Sequence, residues 1–273
     1  MSGPARFPYN GGSPTVPDYE PSMPAYLPSP ELLNDRVILI TGAGDGIGRA
    51  VAEACAAHGA TVILLGRTIA KLEAVYDAIE QAGHPQPAIY PINLEGATAK
   101  DYADLAATLE REFGRLDGLL HNAAILGALA PIAHQDADLW FKVMQVNLNA
   151  PFLLTRACLG LLMRAPDASV VFSADSVGRT GRAYWGAYGV SKFGIEGLSQ
   201  ILAQEMETNT SVRVNTLDPG PVRTRLRTQA YPGENALANP APEEVANAYL
   251  YLLGPDSQGI TGRQFTAREL LKA

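Results

Sequence analysis

Cysteine is scarce in this chain: Cys55 and Cys158 are the two among 273 residues. Both fall in stretches with helical patterning and have no partner at ligand spacing, which excludes a disulfide-stapled fold and a thiolate metal cluster. They read as reduced core thiols of a cytoplasmic protein. Histidine is equally thin. His58, His84, His121 and His134 stand apart, with no H-x-x-x-H pair, so no metal site is expected. An excess of positive charge is missing too: 21 Lys and Arg face 28 Asp and Glu, a net charge of -7, which argues against a nucleic-acid partner. No run of about 18 apolar residues occurs, so no membrane span is expected. A basic head followed by an apolar core is also absent, which excludes a secretory signal.

What is present is enough apolar residue (47%) for a buried core, at a length that suits one large α/β domain. Residues 1–34 are set apart by Pro4, Pro8, Pro14, Pro17, Pro21, Pro24, Pro28 and Pro30, a composition that favours extended or disordered chain. They read either as a tail or as an arm that packs on a neighbouring subunit through Tyr9, Tyr19 and Tyr26. The domain proper runs over 35–273.

From Arg36 the pattern becomes V-I-L-I-T, a β-branched run fit for a strand buried on both faces. Gly42, Gly44, Gly46 and Gly48 follow, interleaved with Asp45 and Ile47, and then comes the Ala-rich helix R-A-V-A-E-A-C-A-A-H. Strand, glycine turn and helix in that order are the context of a dinucleotide site: glycines let the backbone approach a pyrophosphate, and the helix N-terminus offers free N–H groups. The next strand, Thr61 to Leu65, ends at Gly66-Arg67-Thr68. An acid there would bind the 2′-hydroxyl of NAD. Arg67 suits the 2′-phosphate of NADP instead, while Asp45 opposes it and keeps NAD as the alternative. Helix (Ile69 to Ala82), strand (Ala88 to Ile92), helix (Thr98 to Phe113) and strand (Leu116 to Leu120) continue the alternation. A long helical stretch over Asp138 to Leu162, a strand over Ser169 to Ser173, a helix and a strand over Val212 to Leu217 complete it. That order predicts a single-domain, doubly wound parallel sheet of Rossmann type with helices on both faces, its ligands outside the carboxyl ends of the strands. Gly42, Asn93, Asn122, Ser173 and Pro219 fall at those ends.

The segment S-A-D-S-V-G-R-T-G-R-A-Y-W-G-A-Y-G-V-S-K places Tyr188 and Lys192 four apart at the start of an apolar helical run, on one helix face. A cation held beside a phenol favours the phenolate and lowers its pKa from the usual value of about 10. Such a pair alone is commonplace; its company gives it meaning. T-G-A-G-D-G-I-G from Thr41, H-N-A-A from His121, V-N-L around Asn147, Y-G-V-S-K from Tyr188 and P-G at Pro219 together resemble the short-chain dehydrogenase/reductase family, from about Leu32 onward. E-L-L-N-D-R and the V-G-R-T-G-R-A-Y-W-G-A-Y-G-V-S-K-F segment are similar to those of the bacterial YciK-type oxidoreductases.

The resemblance implies hydride transfer between a nicotinamide, NADP or else NAD, and a small carbonyl or alcohol substrate. Tyr188 would be the general acid or base, Lys192 would tune it and hold the nicotinamide ribose, and Asn147 would hold a water behind Lys192. Asn122 and Ala123, Asn93 and Leu94, and Pro219, Gly220, Val222 and Thr224 would line the cofactor site. Residues Val222 to Ala241, with Arg223, Arg225 and Arg227, hold the position of a substrate loop. Its arginines read as a solvated face or as attraction for an anionic substrate. The helices bearing Asn147 and Tyr188 are apolar on more than one face, which suits a homodimer or homotetramer.

One departure stands out. Where the family has a serine thirteen residues before the tyrosine, this chain has Asp175. An ionised carboxylate there would raise the phenol pKa and repel a developing oxyanion. Three outcomes are open: Ser176 substitutes through a shift of the loop, a protonated Asp175 donates the hydrogen bond itself, or the site is catalytically weak. The last would suit a regulatory protein that binds NADP(H) without turnover.

Overall fold

The computed structural model describes residues 26–271. Strands β1 (Val37–Thr41), β2 (Thr61–Gly66), β3 (Ala88–Pro91), β4 (Gly118–His121), β5 (Ser169–Ser173), β6 (Arg213–Asp218) and β7 (Gln264–Thr266) form one sheet in the order β3-β2-β1-β4-β5-β6-β7. All six pairings are parallel. Between the strands run helices α1 (Gly46–Ala57), α2 (Ile69–Gln81), α3 (Ala99–Phe113), α4 (Ala137–Met144), α5 (Ala150–Leu162) and α6 (Gly186–Glu207). Helices α7 (Arg225–Ala230), α8 (Pro242–Leu253) and α9 (Ala267–Leu271) follow β6. The doubly wound parallel sheet is therefore present as the sequence predicts. β7 is an addition: three residues, Q-F-T, are too few to show a period.

The apolar runs are continuous because both faces of the sheet are covered. Within β1, Ile38 and Ile40 join a core built with α1, α2 and α8, while Leu39 between them joins a second core with α3, α5 and α6. The same alternation divides Val62 and Leu64 from Ile63 and Leu65, and Val171 from Val170 and Phe172, as a period of two requires. Among the described residues no helix is long and apolar enough to cross a membrane.

Residues just before the expected boundary at 35 pack on the core. Leu33 is fully buried and Leu32 nearly so, the Leu33 N–H donates to the carbonyl of His58 at 2.9 Å, and the Tyr26 ring meets Tyr251 edge-on at 5.0 Å. The Tyr26 hydroxyl donates to Asp256 at 2.8 Å. Two leucines with a core to enter outweigh the prolines beside them. Tyr9 and Tyr19, the other anchors expected of the arm, lie outside the described residues.

The long helix over 137–162 is also modified. At Gln145–Asn149 it widens to a π-turn, and the Ala150 N–H reaches back to the carbonyl of Gln145. Pro151 has no N–H to give the Asn147 carbonyl four residues back, so the α-ladder cannot run through. π-bulges of this kind gather at functional sites.

Candidate active site

Strand order reverses between β1 and β4, and a cleft of about 810 Å³ opens at the carboxyl ends of the strands there. It is lined by Gly42, Gly44, Asp45, Gly46, Ile47, Arg67, Asn93, Leu94, Asn122, Ala123, Asp175, Tyr188, Lys192, Pro219, Gly220, Val222 and Thr224. Three of the expected site residues are placed otherwise. Gly48 is packed inside its own turn, where a Cβ would lie 2.3 Å from the Gly42 carbonyl oxygen. Asn147 is buried behind the cleft wall, and Ser176 is exposed outside it.

The glycine turn leaves β1 through Gly42, whose φ of 69° suits a residue without a Cβ. The Thr41 hydroxyl accepts from the N–H groups of Asn122 (2.9 Å) and Ala123 (3.0 Å), pinning the ends of β1 and β4 together. Asp45 caps α1 by accepting the Gly46 N–H at 2.8 Å, and its other oxygen is paired with Lys71. The carboxyl is held below its usual range by the Lys71 hydrogen bond, with Arg225 adding to it. Asp45 is thus already answered by a cation and does not oppose a phosphate as the sequence suggested. Lys71 sits in the first turn of α2 and Arg67 just before its N-cap, and both line the cleft at the end of β2. The sequence reading missed Lys71.

At the other end of the cleft lies the tyrosine. Tyr188 and Lys192 project from the first turns of α6, both nearly fully buried. The Tyr188 hydroxyl donates to Asp175 Oδ2 at 3.0 Å. Asp175 Oδ1 accepts the Val177 N–H at 3.0 Å and so caps the short turn over Ser176–Gly178. That turn packs tightly on α6, since a Cβ on Gly178 would lie 2.7 Å from the Lys192 backbone carbon. The thirteen-residue register therefore holds, and the loop does not shift to bring in Ser176. Ser173 is no substitute either: its hydroxyl shares a hydrogen bond of 3.1 Å with the Tyr249 hydroxyl beneath the cleft floor.

This geometry overturns the expected tuning of the phenol. Burial pushes the Tyr188 pKa well above 10, and the Asp175 charge and hydrogen bond push it further. The Lys192 ammonium, which was to lower it, donates to the Ser173 carbonyl at 2.6 Å and stands 5.6 Å from the Tyr188 ring centre. Burial moves Lys192 itself below its usual range, against the pull of Asp175, Asp218 and Glu196. The carboxylate is the nearer charge, so it prevails.

Asn147 acts as a clamp. Its side chain accepts from the Ile125 N–H (2.9 Å) and donates to the Ile125 carbonyl (3.0 Å) and the Ser191 hydroxyl (3.1 Å). It thereby ties the segment after β4 to α6. On the loop side, Trp185 stands between Tyr188 (5.7 Å) and Tyr231 (6.0 Å). Arg227 covers Tyr231 at 3.8 Å and pairs with Glu234, so of the three loop arginines this one is already neutralised.

The arrangement suits a dinucleotide: a glycine turn at a helix N-terminus, two cations where a ribose phosphate would lie, and a phenol at the far end. Comparison with known proteins agrees. The short chain dehydrogenase family pattern matches residues 36–235. The oxidoreductase YciK of Escherichia coli K12 is 45% identical over 243 residues, 89% of this chain and 96% of that one. A short chain dehydrogenase structure from Pseudomonas syringae is 59% identical with a TM-score of 0.88, covering 89% of this chain and 98% of that one. A Shigella flexneri short chain dehydrogenase complexed with NADP is 44% identical with a TM-score of 0.86, covering 88% and 100%.

His121 ends β4, stacked on Phe172 at 4.7 Å and joined to Thr155 at 2.8 Å. Burial pushes its imidazole down to about 3. Below about pH 6.5 the unfolded chain takes up a proton that the folded site refuses, so stability contributed by neutral burial is full above that pH and is lost toward pH 3. Chemical denaturation at a series of pH values should show this group costing roughly 1.4 kcal/mol per pH unit through the window, and H121N should flatten that slope.

Proposed function

The chain belongs to the short chain dehydrogenase family, and on that premise we propose that it is an NADP(H)-dependent oxidoreductase. It moves hydride between the nicotinamide and a small carbonyl or alcohol substrate, and Asp175 restrains the carbonyl direction. The observation that carries this reading is that the glycine turn and the Tyr188–Lys192 pair line one continuous cleft. Arg67 and Lys71 favour NADP over NAD, in keeping with the NADP-bearing relative. NADPH when bound supplies the hydride. Gly42, Gly44 and Gly46 admit its pyrophosphate, Arg67 and Lys71 hold its ribose phosphate, and Lys192 is placed to hold its second ribose once released from the Ser173 carbonyl. Tyr188 holds the proton for the substrate oxygen.

Asp175 works against that last step. Two like charges 4 Å apart repel by about 4 kcal/mol at an effective dielectric of 20, and an oxygen turning anionic beside Tyr188 meets such a charge. The Tyr188 hydroxyl, donating to Asp175 at 3.0 Å, is also turned from substrate. The same hydrogen bond favours a second reading, a regulatory protein that senses NADP(H) without turnover. We place the protein in the cytoplasm on the strength of its buried, unpaired thiols. We read it as a homodimer or homotetramer joined through α5 and α6, where Phe152 on α5 is 47% exposed and Phe193 and Ile201 on α6 are 45% and 60% exposed.

NADPH fluorescence titration should show tight binding, and R67A or K71A should weaken it about tenfold or more while sparing NADH. D175S should raise kcat/KM on a carbonyl panel by about 10- to 1,000-fold, and adding Y188F should remove about 10²- to 10⁴-fold of that. A fall in turnover on D175S overturns the restraint, and tight NADPH binding with no turnover in either protein selects the regulatory reading. Light scattering at micromolar concentration should give a dimer or tetramer; a monomer rejects the assembly.

A further inference from the structure

We propose that Asp175 makes the reacting end of the cleft selective for a cationic substrate nitrogen: a protonated imine in the reductive direction, and the matching secondary amine in reverse. The proposal rests on the reading of the cleft as an NADP(H) hydride-transfer site and names the substrate class that site accepts.

Three observations converge on it. Asp175 is held rigidly. One oxygen is fastened by the Val177 N–H at 3.0 Å and the other meets the Tyr188 hydroxyl at 3.0 Å, so the carboxylate stands where a substrate heteroatom would be received. It is also uncompensated: among the described residues no Lys, Arg or His lies within ion-pair distance of Asp175. The buried ammonium nearby, Lys192, is turned to the Ser173 carbonyl at 2.6 Å. Asp218, with one oxygen on the Gly220 N–H at 2.8 Å, is a second carboxyl acting on both Tyr188 and Lys192, its own pKa raised by burial and by Asp175. Finally, the surrounding walls are apolar. Ile125, Leu126, Trp185, Leu226 and Tyr231 line the cleft here, and a carboxylate facing such walls gains more from a cation than it would in water.

The chemistry follows from the sign of the charge. A carbonyl becomes negative at its heteroatom as hydride arrives, beside a carboxylate that repels it. An iminium arrives positive and already carries its proton, so a phenol turned away from substrate is no handicap. The iminium carbon accepts hydride and forms a C–H bond, the C=N π pair collapses onto nitrogen, and the nicotinamide is oxidised to NADP⁺. The neutral amine then takes up a proton from solvent and leaves as the ammonium. Asp175 contributes by keeping the nitrogen protonated, the form that accepts hydride.

The test pairs a cyclic imine with its isosteric ketone, pyrroline against cyclopentanone, and their products, pyrrolidinium against cyclopentanol. D175N retains the acceptor for Val177 and deletes the charge; D175S restores a hydroxyl. Calorimetry on the protein with and without NADP⁺ should show pyrrolidinium binding about tenfold or more tighter than cyclopentanol, a preference lost in D175N. In turnover, pyrroline should exceed cyclopentanone by a similar factor, and D175S should reverse the order. Equal binding of amine and alcohol, or a preference unchanged by D175N, overturns the proposal. Failure of NADPH to bind would overturn the hydride-transfer reading, while amine selectivity measured without cofactor still decides the charge selection separately.

Discussion

Two helical layers buried on opposite faces of one parallel sheet force every strand to end on the same edge, and from that constraint the site follows. Alternate residues of β1 and β5 face different cores, so a strand cannot slip by one position without exchanging both. The carboxyl ends are thereby fixed in height. Where strand order reverses between β1 and β4 the helices part to either side, and the chain has no way to fill the gap. The Thr41 hydroxyl, accepting from both Asn122 and Ala123, holds that gap at one width. Asn147 does the same between the segment after β4 and α6.

Inside the cleft, electrostatics at each end differ in kind. Near the glycine turn, Arg67 brings positive charge to the end of β2, where the nearby acids Asp45 and Glu95 are paired with Lys71 and Lys142. Such a pair contributes little to stability. Its consequence is local: it cancels an anion where a phosphate would otherwise be repelled. Near Tyr188 the balance is reversed. Tyr188 and Lys192 are almost fully buried, and Asp175 and Asp218 both act on them. The cleft is thus positive at the end suited to phosphate and negative at the end suited to chemistry.

The features legible from the chain were those in which neighbouring residues carry the signal: the glycine turn between a β-branched run and an Ala-rich helix, the strand ends, and Tyr188 four before Lys192. What stayed hidden depends on contacts across the fold. Lys71 meets Asp45 from 26 residues away, and Tyr249 meets Ser173 from 76. The π-turn was half-visible, because Pro151 forbids an unbroken α-ladder, yet a missing donor does not say whether a helix will kink, end or widen. Likewise the proline count over 1–34 hid Leu32 and Leu33, whose burial is settled by the space between α1 and α8. Which of the two opposed influences on Tyr188 prevails, Lys192 or Asp175, was open for a related reason. Helical spacing sets a neighbour's direction and leaves open which hydrogen bond its flexible ammonium takes.

Asp175 shows how one substitution changes the polarity of a hydrogen bond while leaving its geometry intact. A serine hydroxyl both gives and receives: it can accept from a phenol and still donate to a substrate oxygen. An ionised carboxylate only accepts. It keeps the turn, because Oδ1 caps Val177 as a hydroxyl oxygen can, and it keeps the contact with Tyr188 at 3.0 Å. The Tyr188 proton points at Asp175. The backbone tolerates the change because both residue types cap turns. What changes is the set of donors, since a carboxylate accepts where a serine could also give.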